Sequence, residues 1–553
     1  MNGSSTWLTV LLCLLGPAAG AQTPLFTETG EADFDFFGAH VAVLGDLDGD
    51  GVNEYGISAP FNDATGNRAG KVRIVSGRTR TMLYTWFGST DDTLGSDLTS
   101  AGDLNGDGIE EVAVGASGGN YALVYDGASG TVLHTLTGPT GSFGASITAG
   151  GDVDADGVGD LLVGAPGNAL AGALVVFSGA TGLPLRTHTF PCSGQLGAAA
   201  SFLGDQDGDG RDEYAIGRPL SIIGCGSPEV LAFDGATGTQ LWTNAAPMSS
   251  DQLGYALARL QDVNGDGFDE LLAGAPQDPG VGCGPCNGKG YVRCLDGATG
   301  ATLWQVNGVF GYTGLGTALA ALGDLDGNGF EDFAVSQPGS SGSGCGSFTP
   351  PLQLRDGLTG ALLLEIPEQQ AGNAIGSSLA SGDLNGDGLR DLLVGAVCDD
   401  AGGLNSGAAY AYSVVLEPTN YCEAKLNSQA CLPSIFATGT PSLTTATFRI
   451  RAQDEINQKF GVLFWGREPA AAPFQGGTLC VAPPLTRTPA QSSGGNAGPD
   501  DCSGTYVFHF SGLYMTAVGV LPGDTIYSQY WSRDPSSVSG TGLTGGLAFR
   551  VLP

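Results

Sequence analysis

A nine-residue acidic segment that recurs seven times constrains the fold of this chain more than any other feature. Its first copy is Asp46-Leu47-Asp48-Gly49-Asp50-Gly51-Val52-Asn53-Glu54, with carboxylates at positions 1, 3, 5 and 9 and glycine at position 6. Such spacing lets the backbone curl tightly and direct several oxygen atoms at one hard cation. The segment is therefore predicted to be a calcium-binding loop.

All seven copies keep these positions, with Asp or Asn at 3 and 5 and Asp or Glu at 9, so up to seven Ca²⁺ ions are predicted. A main-chain carbonyl is expected to be the ligand at position 7, where the side chain is free to vary. The predicted metal residues are Asp46, Asp48, Asp50, Val52, Glu54; Asp103, Asn105, Asp107, Ile109, Glu111; Asp152, Asp154, Asp156, Val158, Asp160; Asp205, Asp207, Asp209, Arg211, Glu213; Asp262, Asn264, Asp266, Phe268, Glu270; Asp324, Asp326, Asn328, Phe330, Asp332; Asp383, Asn385, Asp387, Leu389 and Asp391.

Position 12 distinguishes these loops from EF-hands, which carry a bidentate Glu there. The twelfth residues are all apolar and lie in short runs that end in Gly or Pro, as expected for β-strands. They are Ile57, Val114, Val163, Ile216, Ala273, Val335 and Val394. Each loop is therefore predicted to join two strands.

The whole unit around the loop repeats as well. Successive loops begin 49 to 62 residues apart, close to the length of a four-stranded propeller blade. A Phe-Gly, Leu-Gly or Ile-Gly pair precedes each loop, and most units continue with a turn like Asp-Gly-Ala-Thr-Gly. The predicted order is strand A, acidic loop, strand B, variable loop, strand C, turn and strand D. The abundance of glycine, 93 residues, suits a β-rich chain with many tight turns.

The seventh unit lacks a fourth strand after residues 408–415, whereas residues 23–30 resemble the fourth strand of the other units. The N-terminal segment is therefore predicted to complete the last blade, which would remove exposed sheet edges. The fold class is all-β: a seven-bladed propeller over residues 22–416, followed by a small β-sandwich-like domain over residues 417–553.

These motifs resemble the FG-GAP repeat family, the β-propeller of integrin α subunits and of many secreted bacterial proteins. The resemblance covers residues 23–416, and it implies that the calcium loops share one face while ligands meet the B–C and D–A loops on the other. The chain differs from integrins because it shows no leg domains and no membrane segment in its sequence. Integrin-type heterodimer adhesion is therefore not expected to carry over.

Beyond residue 417 the pattern changes to strand-like runs at 445–451, 460–465, 505–510, 525–531 and 547–552. Bridges Cys422–Cys431 and Cys480–Cys502 are predicted there. Five cysteines lie in the variable loops, and Cys192 lies in a D–A loop predicted on the same face; cross-linking is their expected role. The five are Cys225, Cys283, Cys286, Cys345 and Cys398. Cys283-Gly284-Pro285-Cys286 matches a redox motif, but it lies in a Gly-rich loop and not at a helix start.

Residues 1–21 are predicted to be a signal peptide, with an apolar stretch and a cleavage site at Ala19-Gly20-Ala21. Cleavage would remove Cys13 and leave an odd number of the 12 cysteines, so one thiol would stay free or pair between chains. A formal charge of −35 argues against a nucleic-acid partner, and no later run is long enough to span a membrane. The protein is expected to be secreted or at the cell surface.

Catalysis finds little support in the sequence, since the four histidines occupy unrelated places in the repeat. The prediction is a non-catalytic binding or adhesion module whose partner is an extracellular protein or glycan, with the oligomeric state left open. Two alternatives remain: a calcium-dependent enzyme acting on extracellular polysaccharide, and a structural envelope component. A cluster of Arg, Lys and His on the loop face would favour the enzyme, but the sequence offers only the scattered Arg68, Lys71, Arg218 and Lys289.

Overall fold

The computed structural model describes residues 24–551 except 168–171, 191–193, 221–225, 278–287, 310, 312, 327, 340–349, 368–371, 387, 415–417, 440, 444–446 and 522–523. The predicted signal peptide lies outside the described residues. So do Asp387 and the cysteines of the variable loops, apart from Cys398.

Twenty-eight strands form seven four-stranded antiparallel sheets, which are the blades of the predicted propeller. In chain order they are β1 Phe26–Thr29; β2 Val41–Val43, β3 Tyr55–Ala59, β4 Lys71–Val75, β5 Met82–Phe87; β6 Leu94–Gly102, β7 Glu111–Ala116, β8 Tyr121–Tyr125, β9 Val132–Thr137; β10 Ser146–Gly151, β11 Asp160–Ala165, β12 Ala173–Phe177, β13 Pro184–Thr189; β14 Ala200–Gly204, β15 Glu213–Arg218, β16 Glu229–Phe233, β17 Gln240–Ala245; β18 Ala256–Leu260, β19 Glu270–Ala275, β20 Tyr291–Leu295, β21 Thr302–Asn307; β22 Leu319–Gly323, β23 Asp332–Val335, β24 Leu352–Arg355, β25 Leu362–Ile366; β26 Ile375–Gly382, β27 Asp391–Ala396 and β28 Ala408–Ser413.

Blades one to six each consist of four consecutive strands, β2–β5 through β22–β25. The seventh blade has the order β26, β27, β28, β1, so its outer strand comes from the N-terminus. There Phe26 lies opposite Ala411 and Thr29 opposite Ala408 in an antiparallel register. The edge of β28 is thus covered by the segment whose sequence resembled a displaced fourth strand.

Neighbouring blades touch through glycine backbones. The second strand of a blade carries a glycine at which any side chain would collide with the carbonyl oxygen of the Phe-Gly or Leu-Gly glycine in the next blade. Five seams have this arrangement: Gly115 on Gly144, Gly164 on Gly197, Gly217 on Gly254, Gly274 on Gly316 and Gly395 on Gly38. The last pair joins blade seven to blade one. Any larger residue would force two blades apart.

Hydrophobic clusters follow the same seams. In the described part of the chain, each pair of adjacent blades shares a cluster of buried residues. The cluster between blades seven and one contains Phe37, Tyr55 and Ile57 from one sheet and Leu393 and Ala409 from the other. The blades therefore bury their apolar faces against each other, and the first and last sheets meet as the others do.

The C-terminal region forms a seven-stranded sheet, a three-stranded sheet, a two-stranded hairpin and one short helix. Its elements are β29 Thr419–Tyr421, β30 Ser434–Thr438, β31 Arg449–Glu455, β32 Phe460–Gly466, β33 Pro469–Phe474, β34 Gly477–Val481, β35 Thr486–Arg487, β36 Gln491–Ser492, β37 Gly504–His509, α1 Gly512–Ala517, β38 Thr525–Arg533, β39 Thr541–Leu543 and β40 Gly546–Arg550.

The two larger C-terminal sheets share one hydrophobic core. Ile450 and Tyr506 of the three-stranded sheet pack in the same cluster as Leu463, Tyr530 and Phe549 of the seven-stranded sheet. This is the sandwich-like packing predicted from the sequence. The exact boundary between the two domains stays a prediction.

The predicted C-terminal disulfides were wrong in their pairing. The structure joins Cys422 to Cys480, with Cα atoms 5.9 Å apart, and Cys431 to Cys502, with Cα atoms 6.2 Å apart. The reason is tertiary: the Tyr421 hydroxyl donates to the carbonyl of Cys480, which brings the end of β29 next to β34. The cysteines that lie close together in the sequence are therefore not the ones that lie close together in space.

Cys294 is a free cysteine of the described chain, and it is completely buried between blades five and six. Cys398 is disulfide-bonded. Because burial shields the Cys294 thiol, this residue does not support pairing between chains.

In the described residues no helix is long and apolar enough to cross a membrane.

The N-terminal strand offers a direct test of the ring. A protein that lacks residues 24–30 should lose the pairing of β1 with β28 and the hydrogen bond from Leu25 N to Ala411 O. We expect a lower melting temperature and association through the uncovered edge, measured by thermal unfolding and light scattering. An unchanged melting temperature and a monomeric deletion protein would show that β1 does not stabilise the ring.

Candidate metal centres

The acidic loops connect the first and second strands of the blades, as predicted. In the first loop, the Asp46 carboxylate accepts hydrogen bonds from the backbone N–H groups of Gly49 and Gly51, both at 2.8 Å. The Asp50 carboxylate accepts one from Val52 at 3.0 Å. Corresponding bonds recur in the second loop, from Gly106 and Gly108 to Asp103. These hydrogen bonds wind the loop backbone around the first carboxylate, and they do not require a bound metal ion.

In at least five loops of the described chain, three or more carboxylates are brought to one point. One oxygen from each member lies within 4.8 Å of the others. The groups are Asp46, Asp48, Asp50, Glu54; Asp107, Glu111, Asp126; Asp152, Asp154, Asp160; Asp205, Asp207, Glu213; and Asp262, Asp266, Glu270. Oxygen-only clusters of this size suit a hard cation such as Ca²⁺.

One member of these groups, Asp126, was missed by sequence reasoning. It belongs to the turn between strands C and D, where Asp-Gly recurs in several units. The Asn105 amide donates to Asp126 at 3.2 Å, and the Asn328 amide likewise donates to Asp356 at 3.0 Å. The repeated Asp of that turn was the available signal, but only the folded blade places it beside the loop.

The ninth-position carboxylates are the most buried members of the loops. All seven, from Glu54 to Asp391, have relative exposures of 0–1%. In every loop the carboxylate accepts a hydrogen bond from the backbone N–H of the second loop residue, at 2.5–3.0 Å in the six loops after the first. In blades three, four and six it also accepts one from a glycine of the C–D turn, such as Gly179 N to Asp160 at 3.0 Å. This residue thus ties the loop to the turn within one blade.

Several oxygens of the loops are buried without a hydrogen-bond partner. They belong to Asp50, Glu54, Asp154 and Glu270. An unpaired buried oxygen is costly, and a bound cation would satisfy it. The residues present therefore fit a divalent metal ion, because they provide carboxylate oxygens that have no other partner.

Burial also changes the acidity of these groups. It raises the pKa of Glu54 and Glu270 to about 7 and that of Asp160 to about 6, and nearby loop carboxylates add to the effect. Burial likewise raises the pKa of Asp332 to about 7. A group of this kind loses a proton reluctantly unless a positive charge is close. A cation in the loop would supply that charge.

Position 8 of the loop has a role that sequence reasoning did not foresee. In blade two Glu110 accepts a hydrogen bond from Gly45 N of blade one at 2.9 Å. Asp212 accepts one from Asp152 N at 3.0 Å, and Glu331 one from Gln261 N at 2.9 Å. In blades two, four and six these acids thus connect the loop to the preceding blade.

The predicted position-7 residues vary in side chain while their backbones repeat. The N–H groups of Val52, Ile109, Val158, Arg211, Phe268 and Phe330 donate to the fifth loop residue at 2.8–3.0 Å. Their carbonyls, like that of Leu389, stay predicted ligands. The twelfth residues are fully buried in strands B, from Ile57 to Val394, and contribute to the seams instead.

Three of the histidines make structural contacts. His188 Nε2 lies 2.7 Å from the Tyr214 hydroxyl, and its ring lies 4.2 Å from that of Phe233. Burial lowers the pKa of His188 to about 4. His134 Nε2 lies 3.1 Å from the carbonyl of Gly179. His40 pairs with Asp97 at 3.1 Å.

Loop acids on the opposite face are also engaged. Asp92 accepts from the Tyr121 hydroxyl at 2.8 Å, Asp399 from the Tyr410 hydroxyl at 2.5 Å, and Asp91 from the Asn67 amide at 2.7 Å. Asp400 accepts from the backbone N–H of Asn405 at 2.7 Å. A further acid of these loops, Asp278, lies outside the described residues. These bonds hold the loops in shape.

Comparisons with known proteins agree with this architecture. Residues 103–163 match the family FG-GAP-like repeat, and residues 253–293 and 375–412 match the family FG-GAP repeat. Integrin alpha-PS2 of Drosophila melanogaster is 33% identical over 217 residues, which is 36% of this chain and 15% of that protein. Human integrin alpha-IIb is 31% identical over 225 residues, or 39% of this chain and 21% of the integrin.

Integrin alpha-V of Gallus gallus is 33% identical over 140 residues, 25% of this chain and 13% of that protein. The similarity therefore spans about a fifth or less of each of these integrins.

The structural role of the ninth-position carboxylate can be tested in the third loop by comparing it with another carboxylate of the same loop. Without metal, in EGTA, Asp160→Ala should lower the free energy of unfolding by about 2–5 kcal/mol, because the buried N–H groups of Val153 and Gly179 lose their acceptor. Asp154→Ala is the matched control. It removes a carboxylate whose pKa is raised by burial and by Asp156, so in EGTA it should be neutral or stabilising. Urea denaturation would measure both, and equal losses would contradict the assigned roles.

Proposed function

We propose that this chain, which carries FG-GAP repeats in an integrin α-like propeller, is a secreted calcium-stabilised binding module and not an enzyme. The observation that carries the proposal is the recurrence of one carboxylate cluster, with a buried ninth residue, in blade after blade. The residues that would hold Ca²⁺ are the 35 predicted loop positions given above. The ions would supply positive charge to carboxylates that burial and mutual repulsion otherwise disfavour.

Calcium in this proposal has a structural role. The ninth carboxylate contacts both the loop and, in several blades, the C–D turn, so a bound ion would stiffen the blade end to which it is attached. With a Kd of about 0.1 mM and about 2 mM free Ca²⁺, linkage gives roughly 1.8 kcal/mol for each site. Seven such sites would rival the stability of an ordinary domain.

Export from the cell would expose the protein to calcium concentrations of the kind that this stabilisation needs. Residues 1–21 have the pattern of a signal peptide, and two disulfides staple the C-terminal domain. Extracellular calcium is abundant enough to occupy loops of modest affinity. We therefore assign the protein to the extracellular space or the cell surface.

A binding surface is proposed on the face opposite the acidic loops. Phe34 and Phe36, in the D–A connection into blade one, and Phe61 and Arg68, in its B–C connection, line a cavity of about 380 Å³. Phe34 is 49% exposed. The Arg68 guanidinium lies 4.6 Å from the Phe61 ring centre. Phe34, Phe36 and Arg68 all have left-handed backbones, with φ of 62°, 54° and 47°. Such strain in bulky residues is concentrated at functional sites.

The polysaccharide-enzyme alternative depended on a basic cluster. Lys71 is paired with Glu31 at 2.7 Å and Arg218 with Glu229 at 2.6 Å. Arg68 stacks on Phe61. Three of the four cations therefore have partners within the chain, while Lys289 is exposed. The non-catalytic role has the better support.

Calcium binding is tested first, by counting bound metal and by thermal unfolding in Ca²⁺ and in EGTA. We expect close to seven ions per chain, the number of loops, and a steep fall of the melting temperature in EGTA. Asp262→Ala should remove about one ion, because it deletes the first-position carboxylate of one cluster, whereas exposed Glu423→Gln should remove none. Little bound calcium and no shift in melting temperature would overturn the loop assignment.

The binding role needs a separate experiment. The full chain in Ca²⁺ would be screened against extracellular-matrix proteins and glycans, and any ligand retested with Phe34→Ser. We expect at least about tenfold weaker binding, because an exposed aromatic side chain is lost from the contact. Leu185→Ser, at a similarly exposed residue of β13, is the control and should bind normally. Equal binding by both variants would place the ligand elsewhere, without affecting the calcium result.

A further inference from the structure

We propose that the C-terminal domain contains a pocket for a small organic carboxylate with an apolar body. The pocket lies between the β33–β34 hairpin and one face of the seven-stranded sheet, and it has a volume of about 320 Å³. Its wall consists of Val462, Phe464, Phe474, Leu479, Leu485 and Trp531. This size is at the lower end of small-molecule sites in proteins, and the lining is mostly hydrophobic, as in such sites.

The polar groups of the pocket are donors. Gln475 and Arg487 complete the lining. The Trp531 indole N–H donates to the Gln475 side-chain oxygen at 2.9 Å, which uses one lone pair of that oxygen and leaves the amide N–H₂ group to contact a ligand. Arg487 forms no ion pair with any described residue. A ligand must therefore bring acceptors, and preferably a negative charge.

Both donors are held by the fold. Gln475 sits at the tip of the hairpin, where its φ of 48° and the φ of 76° at Gly476 form the turn between paired Phe474 and Gly477. Behind the tip, the Lys425 ammonium donates to the Gln475 carbonyl at 3.2 Å. Arg487 belongs to β35, where it lies opposite Phe464 of β32. Arg487 thus lies in the pocket wall, and Lys425 supports the hairpin tip through the Gln475 backbone.

Charge complementarity selects the ligand class. The chain carries a net charge of −35, yet this pocket combines the Arg487 guanidinium with an apolar wall. A carboxylate would pair with the Arg487 guanidinium, while an aryl or branched alkyl body would cover Trp531 and Phe474. A sugar suits the site less, because its many hydroxyl groups would face hydrophobic side chains without partners. The site lies outside the FG-GAP repeats, so it is independent of the proposed calcium and loop-face functions.

The test uses the full chain in Ca²⁺ with phenylacetate and its neutral analogue phenylacetamide, titrated by calorimetry. Phenylacetate should bind saturably and at least about tenfold more tightly than the amide, since only the acid forms a charge-assisted pair. Arg487→Gln should weaken phenylacetate binding by about tenfold or more and leave the amide unaffected. Arg533→Gln, at another exposed arginine of the domain, is the control and should change neither.

A second variant tests the apolar wall. Leu479→Trp should fill the cavity and abolish binding of both compounds, and an unchanged melting temperature would confirm that it folds. If this variant unfolds, the acid–amide comparison and Arg487→Gln decide alone. No saturable binding of phenylacetate up to roughly 10 mM, equal affinity for the amide, or an Arg487→Gln protein that binds like wild type would overturn the proposal.

Discussion

The propeller depends on how closely its blades approach each other. At five seams the backbone of a second strand rests on the carbonyl of the next blade's Phe-Gly or Leu-Gly glycine, with no space for a side chain. This contact sets the distance between sheets, and the apolar residues on either side then fill each seam with a hydrophobic cluster. The contact between Gly395 and Gly38 has the same geometry as the others, so the first and last blades pack against each other in the same way as the other blade pairs.

The acidic loops are attached to this frame at two points. Within a blade, the buried ninth carboxylate holds the start of the loop and, in blades three, four and six, the C–D turn as well. Between blades, acids such as Glu110 and Asp212 hold the preceding loop. Cation binding and blade packing are therefore expected to be linked, since both act on the same backbone segments.

The C-terminal sandwich contacts the propeller at one of these loops. Arg550 lies 3.7 Å from Asp324, the first residue of the sixth loop, and the Thr525 hydroxyl donates to the carbonyl of Asp326 at 3.3 Å. The sandwich thus meets the propeller on the side of the acidic loops, whereas the proposed aromatic binding surface lies on the opposite side. The carboxylate pocket is built from other strands of the sandwich, β32 to β35 and β38.

Local sequence patterns are enough to identify the repeat, the loop between strands A and B, the all-β class and the displaced strand that ends in the seventh blade. Each of these follows from local spacing, because alternating strands, tight turns and metal loops leave a pattern within about a dozen residues. Only the packing of whole sheets determines which cysteines pair, which acids of position 8 reach the neighbouring blade, and that Asp126 joins a carboxylate cluster. It also determines that Gln475 and Trp531 close a pocket with Arg487. These relations join residues that are far apart in the chain, and their distance in space depends on how whole sheets pack, for which local spacing carries no signal.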